Sequence, residues 1–228
     1  MEWQLRPKMN NKLFLRDPEQ SEIGKKILKS STYLIKTLGF EAFTFKKLAE
    51  EVKITEATVY RYFENKHRLL SYIVAWYWNW LDYQVMFNTN NVENAEHNLK
   101  TIAAVLTWQL ERQYTAEATI NLEDLHDIII GESSKVYLTK HVTEDNKEQL
   151  FKPYKNLCQR ISEVILTYSP NYPFPKSLAS TAIEMAHYQD FFMNNLPSLT
   201  DFGNTPTLKS VQSFIEQLLL SSINVQTK

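Results

Sequence analysis

Three residues able to cap a helix, Thr44, Thr55 and Asn65, follow one another at short intervals. That punctuation constrains the fold more than any other feature of the chain. Each cap precedes apolar residues at helical spacing: Leu48, Ala49 and Val52 after Thr44, then Val59 and Phe63 after Thr55, then an aromatic-rich run after Asn65. The pattern predicts a helix over FKKLAEEV, a shorter one behind Thr55, and a long one from Asn65 to about Phe87. Upstream, residues 19–38 place Ile23, Ile27, Tyr33, Leu34 and Leu38 near one stripe, and Gly39 stops it. No segment keeps a period of two. With 43% apolar residues, 4 Gly and 8 Pro, the expectation is a folded all-α chain.

The two short helices meet through Lys53 and Ile54, which makes them a helix-turn-helix candidate. The second helix of such a pair enters a major groove N-terminus first. Thr55, Thr58, Tyr60, Arg61 and Lys66 are donors of the kind that reach phosphate oxygens. The charge distribution agrees. Residues 1–70 hold 14 Lys+Arg against 9 Asp+Glu, whereas the remainder holds 11 against 17. A plainer account also fits some of these residues. Thr44 and Thr55 serve as caps whether or not they touch DNA, and Glu56 complements a helix dipole.

At this point the chain resembles the DNA-binding domain of TetR-type transcriptional regulators. The resemblance runs from about Ile23 to Leu70 and rests on Gly39, Thr44, Leu48-Ala49, Ile54-Thr55, Thr58-Val59-Tyr60, Phe63, Lys66 and Leu69. It implies that Thr44, Thr58, Tyr60 and Lys66 hold phosphates, and that Lys46, Glu56, Ala57, Tyr60 and Tyr62 meet base edges or the groove. The chemistry suits the second group. Lys46 can donate to guanine, Glu56 can accept from cytosine, and the Ala57 methyl can meet a thymine methyl. Three positions depart from the family pattern. Lys53 stands where Gly is usual, Ala57 where Gly or another small residue is common, and Tyr62 where many members carry His.

The expected organisation is a basic arm over 1–18, a helix-turn-helix domain over 19–66, and a helical ligand-binding and dimerisation domain over 67–228. The arm carries Arg6, Lys8, Lys12 and Arg16. Although Leu13, Phe14 and Leu15 favour packing, the arm reads as a solvated tail. Later helices are expected over 93–113, 116–130, 144–168, 174–195 and 206–222, with breaks at NTNN, GESS, SPNYPFP and DFGNTP. In the long fourth helix Tyr72, Trp76, Trp80, Tyr83 and Phe87 form an aromatic stripe. Such a stripe suits either a packed core or a mostly apolar pocket with a few directional hydrogen bonds. The pocket reading takes in Trp76, Trp80, Tyr83 and Phe87 together with His126 and His187. Ala179, Ala182 and Ala186, with the Leu208–Leu219 stripe, present the last two helices as a homodimer surface.

Catalytic material is thin. Glu123 with His126-Asp127, His141 with Glu144, and His187 with Asp190 bring imidazole near carboxylate, but none has metal-ligand spacing. Cys158, the single cysteine, sits in an amphipathic context and excludes an internal disulfide framework. No apolar run approaches the length of a membrane span or a signal peptide, so the expected place is the cytoplasm. The reading is a non-enzymatic repressor, without metal or cofactor, that binds operator DNA as a homodimer. A small, largely apolar ligand releases it. The alternative is a helix-turn-helix module that is constitutive or controlled by a protein partner.

Overall fold

A computed structural model gives the architecture and describes residues 7–90, 92–109, 120–203 and 205–224. Among them lie eleven α-helices, three short 3-10 turns and no strand. In chain order the helices are α1 (Glu22–Leu38), α2 (Phe45–Val52), α3 (Glu56–Tyr60), α4 (Lys66–Thr89), α5 (Ala95–Leu106) and α6 (Leu122–Glu132). They continue with α7 (Ser134–Tyr137), α8 (Val142–Lys147), α9 (Lys152–Tyr168), α10 (Pro175–Asn195) and α11 (Leu208–Asn224). The 3-10 turns are Asn11–Leu13, Pro18–Gln20 and Pro197–Leu199. No helix among the described residues is long and apolar enough to cross a membrane.

The caps are where the sequence puts them. Thr44 Oγ1 accepts from the Lys47 amide at 3.2 Å, Thr55 Oγ1 from the Thr58 amide at 3.3 Å, and Asn65 Oδ1 from the Arg68 amide at 2.9 Å. Gly39, at φ 77°, ends α1. The helix ends after α2, α5 and α8 follow a different rule. Each carries a non-glycine residue in the left-handed region: Lys53 (φ 59°), Trp108 (φ 60°) and Gln149 (φ 63°). In all three the next residue's amide reaches back five positions: Ile54 to Ala49, Gln109 to Ala104, and Leu150 to Asp145. This is the Schellman closure, normally built on glycine.

These closures explain two departures from the expected spans. The helix expected over 93–113 stops at Leu106, and the one expected over 144–168 divides into α8 and α9. A helix over 116–130 is observed as Leu122–Glu132. Arg6 and the parts of the expected spans that fall on 110–119 lie outside the described residues. The solvated-tail reading of the arm is overturned from about residue 9 onward. Leu13 is 1% exposed, Pro18 is buried, and the Phe14 ring meets the Tyr72 ring edge-on at 6.1 Å. Burying this apolar surface outweighs the entropy of a free tail.

The described residues divide into two compact units, one within Met1–Trp80 and Arg112–Pro153, the other within Leu81–Glu111 and Tyr154–Lys228. The core of the first is built from residues such as Ile27, Leu28, Phe40, Phe43, Leu48, Val59, Phe63, Leu69 and Tyr72. The second packs α5, α10 and α11 around Leu99, Ile102, Ile183, Val211, Ile215 and Leu219. Ala179, Ala182 and Ala186, expected on an outer oligomer face, are buried inside this second unit. Their small size serves helix contacts within the chain.

Candidate nucleic-acid interface

Thr44 and Lys53 fix the two ends of α2, and Thr55 starts α3 two residues later, so the helix pair is joined by a turn of defined shape. The inner face is apolar: Leu48, Ala49, Val59 and Phe63 are all buried, as their pattern predicts. The outer face presents Thr44, Lys46, Thr55, Glu56, Ala57, Tyr60 and Arg61 to solvent. Tyr60 is 48% exposed, and its ring leans edge-on against Phe45 at 5.0 Å, which limits where its hydroxyl points. Thr58 is half-buried, and its hydroxyl lies 2.9 Å from that of Thr55. Lys47, which the sequence reading passed over, is exposed beside Lys46 and donates to the Ala42 carbonyl at 2.8 Å. An exposed set of hydroxyl, phenol, ammonium and guanidinium groups across the α2–α3 pair matches what phosphate oxygens and base edges accept.

Two assigned contacts need correction. Tyr62 is 2% exposed and its hydroxyl lies 2.8 Å from Ser21 Oγ, so it is not a base reader. Lys66 is equally committed. Its ammonium donates to the carbonyls of Phe40 (2.9 Å), Glu41 (3.1 Å) and Phe43 (3.2 Å), and also sits 4.6 Å from the centroid of the Phe40 ring. An ammonium has three protons, and all three are used here. Lys66 is a clamp on the turn between α1 and α2, and a phosphate would have to displace one of those bonds.

The same turn is held from α6. Glu132 Oε1 accepts from the Phe40 amide at 2.9 Å, and Glu132 Oε2 lies 2.7 Å from Lys135 Nζ. Lys135 also pairs with Glu41 at 3.1 Å, and together with a hydrogen bond between them this holds the exposed Glu41 carboxyl below its usual range. Lys36 bridges Asp124 (2.8 Å) and Asp127 (2.9 Å), which raises its pKa through the hydrogen bond to Asp124 first. Arg68 pairs with Asp145 (3.0 Å) and Glu148 (3.2 Å). Apart from Glu132 with Lys135, three residues apart, none of these partners was legible in the sequence, because each pair is far apart along the chain and no local pattern marks it.

The ligand candidates separate. Trp76, Trp80 and His126 fall in the first unit, and Tyr83, Phe87 and His187 in the second. Trp76 is a correction: it is buried, and its indole N–H donates to Glu19 Oε1 at 2.9 Å, so its polar tip already has a protein partner. Trp80 is half-buried and lies 6.0 Å from the Tyr77 ring. Tyr83 and Phe87 stack at 6.2 Å, His126 is half-buried, and His187 is buried on α10 beside Asp190. No group of three or more metal-ligating side chains gathers among the described residues. Burial pushes the Cys158 thiol up to about 11, the opposite of an activated nucleophile.

An all-helical chain whose α2 and α3 meet through a left-handed turn, with α3 bare on its outer face, is a helix-turn-helix protein. Residues 27–73 match the family model of the bacterial regulatory proteins, tetR family, a segment that runs from α1 through α2 and α3 into α4. Solved structures share the fold over most of their length. The crystal structure of AibR in complex with isovaleryl coenzyme A and operator DNA aligns with a TM-score of 0.60 at 16% identity, covering 86% of this chain and 97% of that one. The fatty acid degradation regulator FadR from Bacillus halodurans aligns at 0.59 and 16%, covering 86% and 96%. SCO4454, a TetR-family transcriptional regulator from Streptomyces coelicolor, aligns at 0.59 and 10%, covering 91% and 97%. No curated protein sequence matches the chain.

Proposed function

We propose that this protein is a transcriptional repressor that binds operator DNA as a homodimer and is released by a small, largely apolar ligand. The observation that carries the DNA-binding part is the outer face of α3 and the start of α2. There Thr44, Lys46, Thr55, Glu56, Ala57, Tyr60 and Arg61 stand exposed on a rigid, capped pair. Thr44, Thr58 and Tyr60 hold phosphates in this reading, while Lys46, Glu56 and Ala57 read bases. Apolar side chains left outside on the last two long helices, Tyr188 on α10 and Phe214 on α11, support the homodimer. Two copies would place two reading helices on two half-sites.

The ligand part rests on analogy with AibR, whose crystal structure contains isovaleryl coenzyme A, and with FadR, a regulator of fatty acid degradation. We assign ligand contact to the second unit, through Tyr83, Phe87 and His187. A ligand that prefers one arrangement of the dimer shifts the population away from the DNA-binding one. The test is fluorescence anisotropy of a bound duplex during titration with acyl-coenzyme A thioesters of increasing chain length. The reading expects release by some members of the series and a matching rise in melting temperature. If no member releases DNA or shifts melting, the ligand-free alternative replaces it.

A further inference from the structure

We propose that residues 9–21, ahead of α1, form a strap that sets the position of α3 for base reading, acting through Tyr62. The strap lies before residue 27, where the family match begins. Three of its residues converge on Tyr62. The Leu15 amide donates to the Tyr62 carbonyl at 2.8 Å, the Arg16 guanidinium lies 5.4 Å from the Tyr62 ring centroid, and Ser21 Oγ lies 2.8 Å from the Tyr62 hydroxyl. Tyr62 follows α3 directly, and its own amide donates to Val59 at 2.9 Å.

That placement matters because α3 is only 5 residues long. A single turn has almost no cooperative stability of its own, so its direction is fixed by what holds its two ends. Thr55 holds one end, and Tyr62, under the strap, holds the other. The strap is itself anchored in the first unit. Asn10 Nδ2 donates to the Glu148 carbonyl at 2.8 Å, and Leu13 is buried. Glu19 accepts from Trp76, and Pro18 lies so near α1 that a Cβ on Gly24 would stand 2.2 Å from its carbonyl oxygen. Covering apolar surface would need Leu13, Phe14 and Pro18 alone. Directional contacts to the main chain, ring and hydroxyl of one residue do something more: they orient it.

This inference rests on the DNA-binding reading, and the experiment separates the two. A duplex selected from a random pool and an unselected duplex are titrated with full-length wild type, Arg16→Ala, Arg16→Lys, Tyr62→Leu and the Arg16→Ala/Tyr62→Leu double variant, across a range of salt. Arg16→Ala lowers affinity for the selected duplex about three- to fivefold. Affinity for unselected DNA stays within about twofold, and the salt slope is unchanged. Arg16→Lys restores most of the loss, and in the Tyr62→Leu background Arg16→Ala adds nothing. Additive losses, or a salt slope reduced by about one charge, would make Arg16 a direct phosphate contact and overturn the strap. Proportional losses on both duplexes with a lower melting temperature would reduce it to a structural brace. If Tyr62→Leu does not fold, Tyr62→Phe replaces it: removing the hydroxyl beside Ser21 lowers the ratio of selected to unselected affinity, and an unchanged ratio overturns the proposal. A wild type that selects no duplex overturns the DNA-binding reading itself.

Discussion

Lys53 shows what a single residue decides. It closes α2 in the left-handed region, where an L side chain is strained by about 1–2 kcal/mol. Lys53→Gly therefore stabilises the protein by about 0.5–1 kcal/mol in denaturant unfolding, the relief of strain being offset in part by a more flexible unfolded chain. Loss of stability would show that the lysine side chain contributes something its exposure does not reveal. Gly24 poses the reverse case. Gly24→Ala drives a methyl into Pro18 backbone and is expected to destabilise by about 2–3 kcal/mol. An unchanged unfolding midpoint would mean that Pro18 is free to withdraw. Lys53 was visible in the sequence because a glycine is usual at its position in the resemblance. Trp108 and Gln149 adopt the same conformation with no such warning, so the periodic pattern ran through both helix ends.

At the scale of elements, the turn between α1 and α2 is gripped by a lysine from α4 and a glutamate from α6. Removing Glu132 leaves the Phe40 amide without its acceptor, so Glu132→Ala is expected to cost about 1–3 kcal/mol and to accelerate hydrogen exchange at that amide. Unaltered exchange there would contradict the grip. Lys66→Met should lower stability by about 2–3 kcal/mol while leaving the slope of log affinity against log salt unchanged. A slope reduced by about one charge would return Lys66 to the phosphate contacts. The helices of the head were legible because their caps and apolar spacing are local. The grip was not, since Phe40 and Glu132 are 92 positions apart. Tyr62 was misread for the same reason: its pattern is that of a reading helix, and only the fold brings the strap over it.

For the whole molecule, the positive excess of residues 1–70 is partly spent within the first unit, where Lys36, Arg68 and Lys66 all have internal partners. Of the cations that remain exposed, Lys46, Lys47, Lys53 and Arg61 lie on or beside the α2–α3 pair, while Lys8, Lys12, Arg16, Lys26 and Lys29 lie on α1 or ahead of it. The proposed homodimer belongs to this scale as well. Phe214→Glu places a charge on the outer side of α11 and is expected to give a monomer in sedimentation analysis, with weaker operator binding. A Phe214→Glu variant that remains a dimer would move the interface elsewhere. The most direct measurement of the central claim is selection of bound duplexes from a random DNA pool by the full-length protein, repeated with Glu56→Ala. The account predicts enrichment of a site with two related half-sites, and a changed base preference in the variant. A pool that stays random, or an identical site from wild type and Glu56→Ala, would contradict the assignment of base reading to this face.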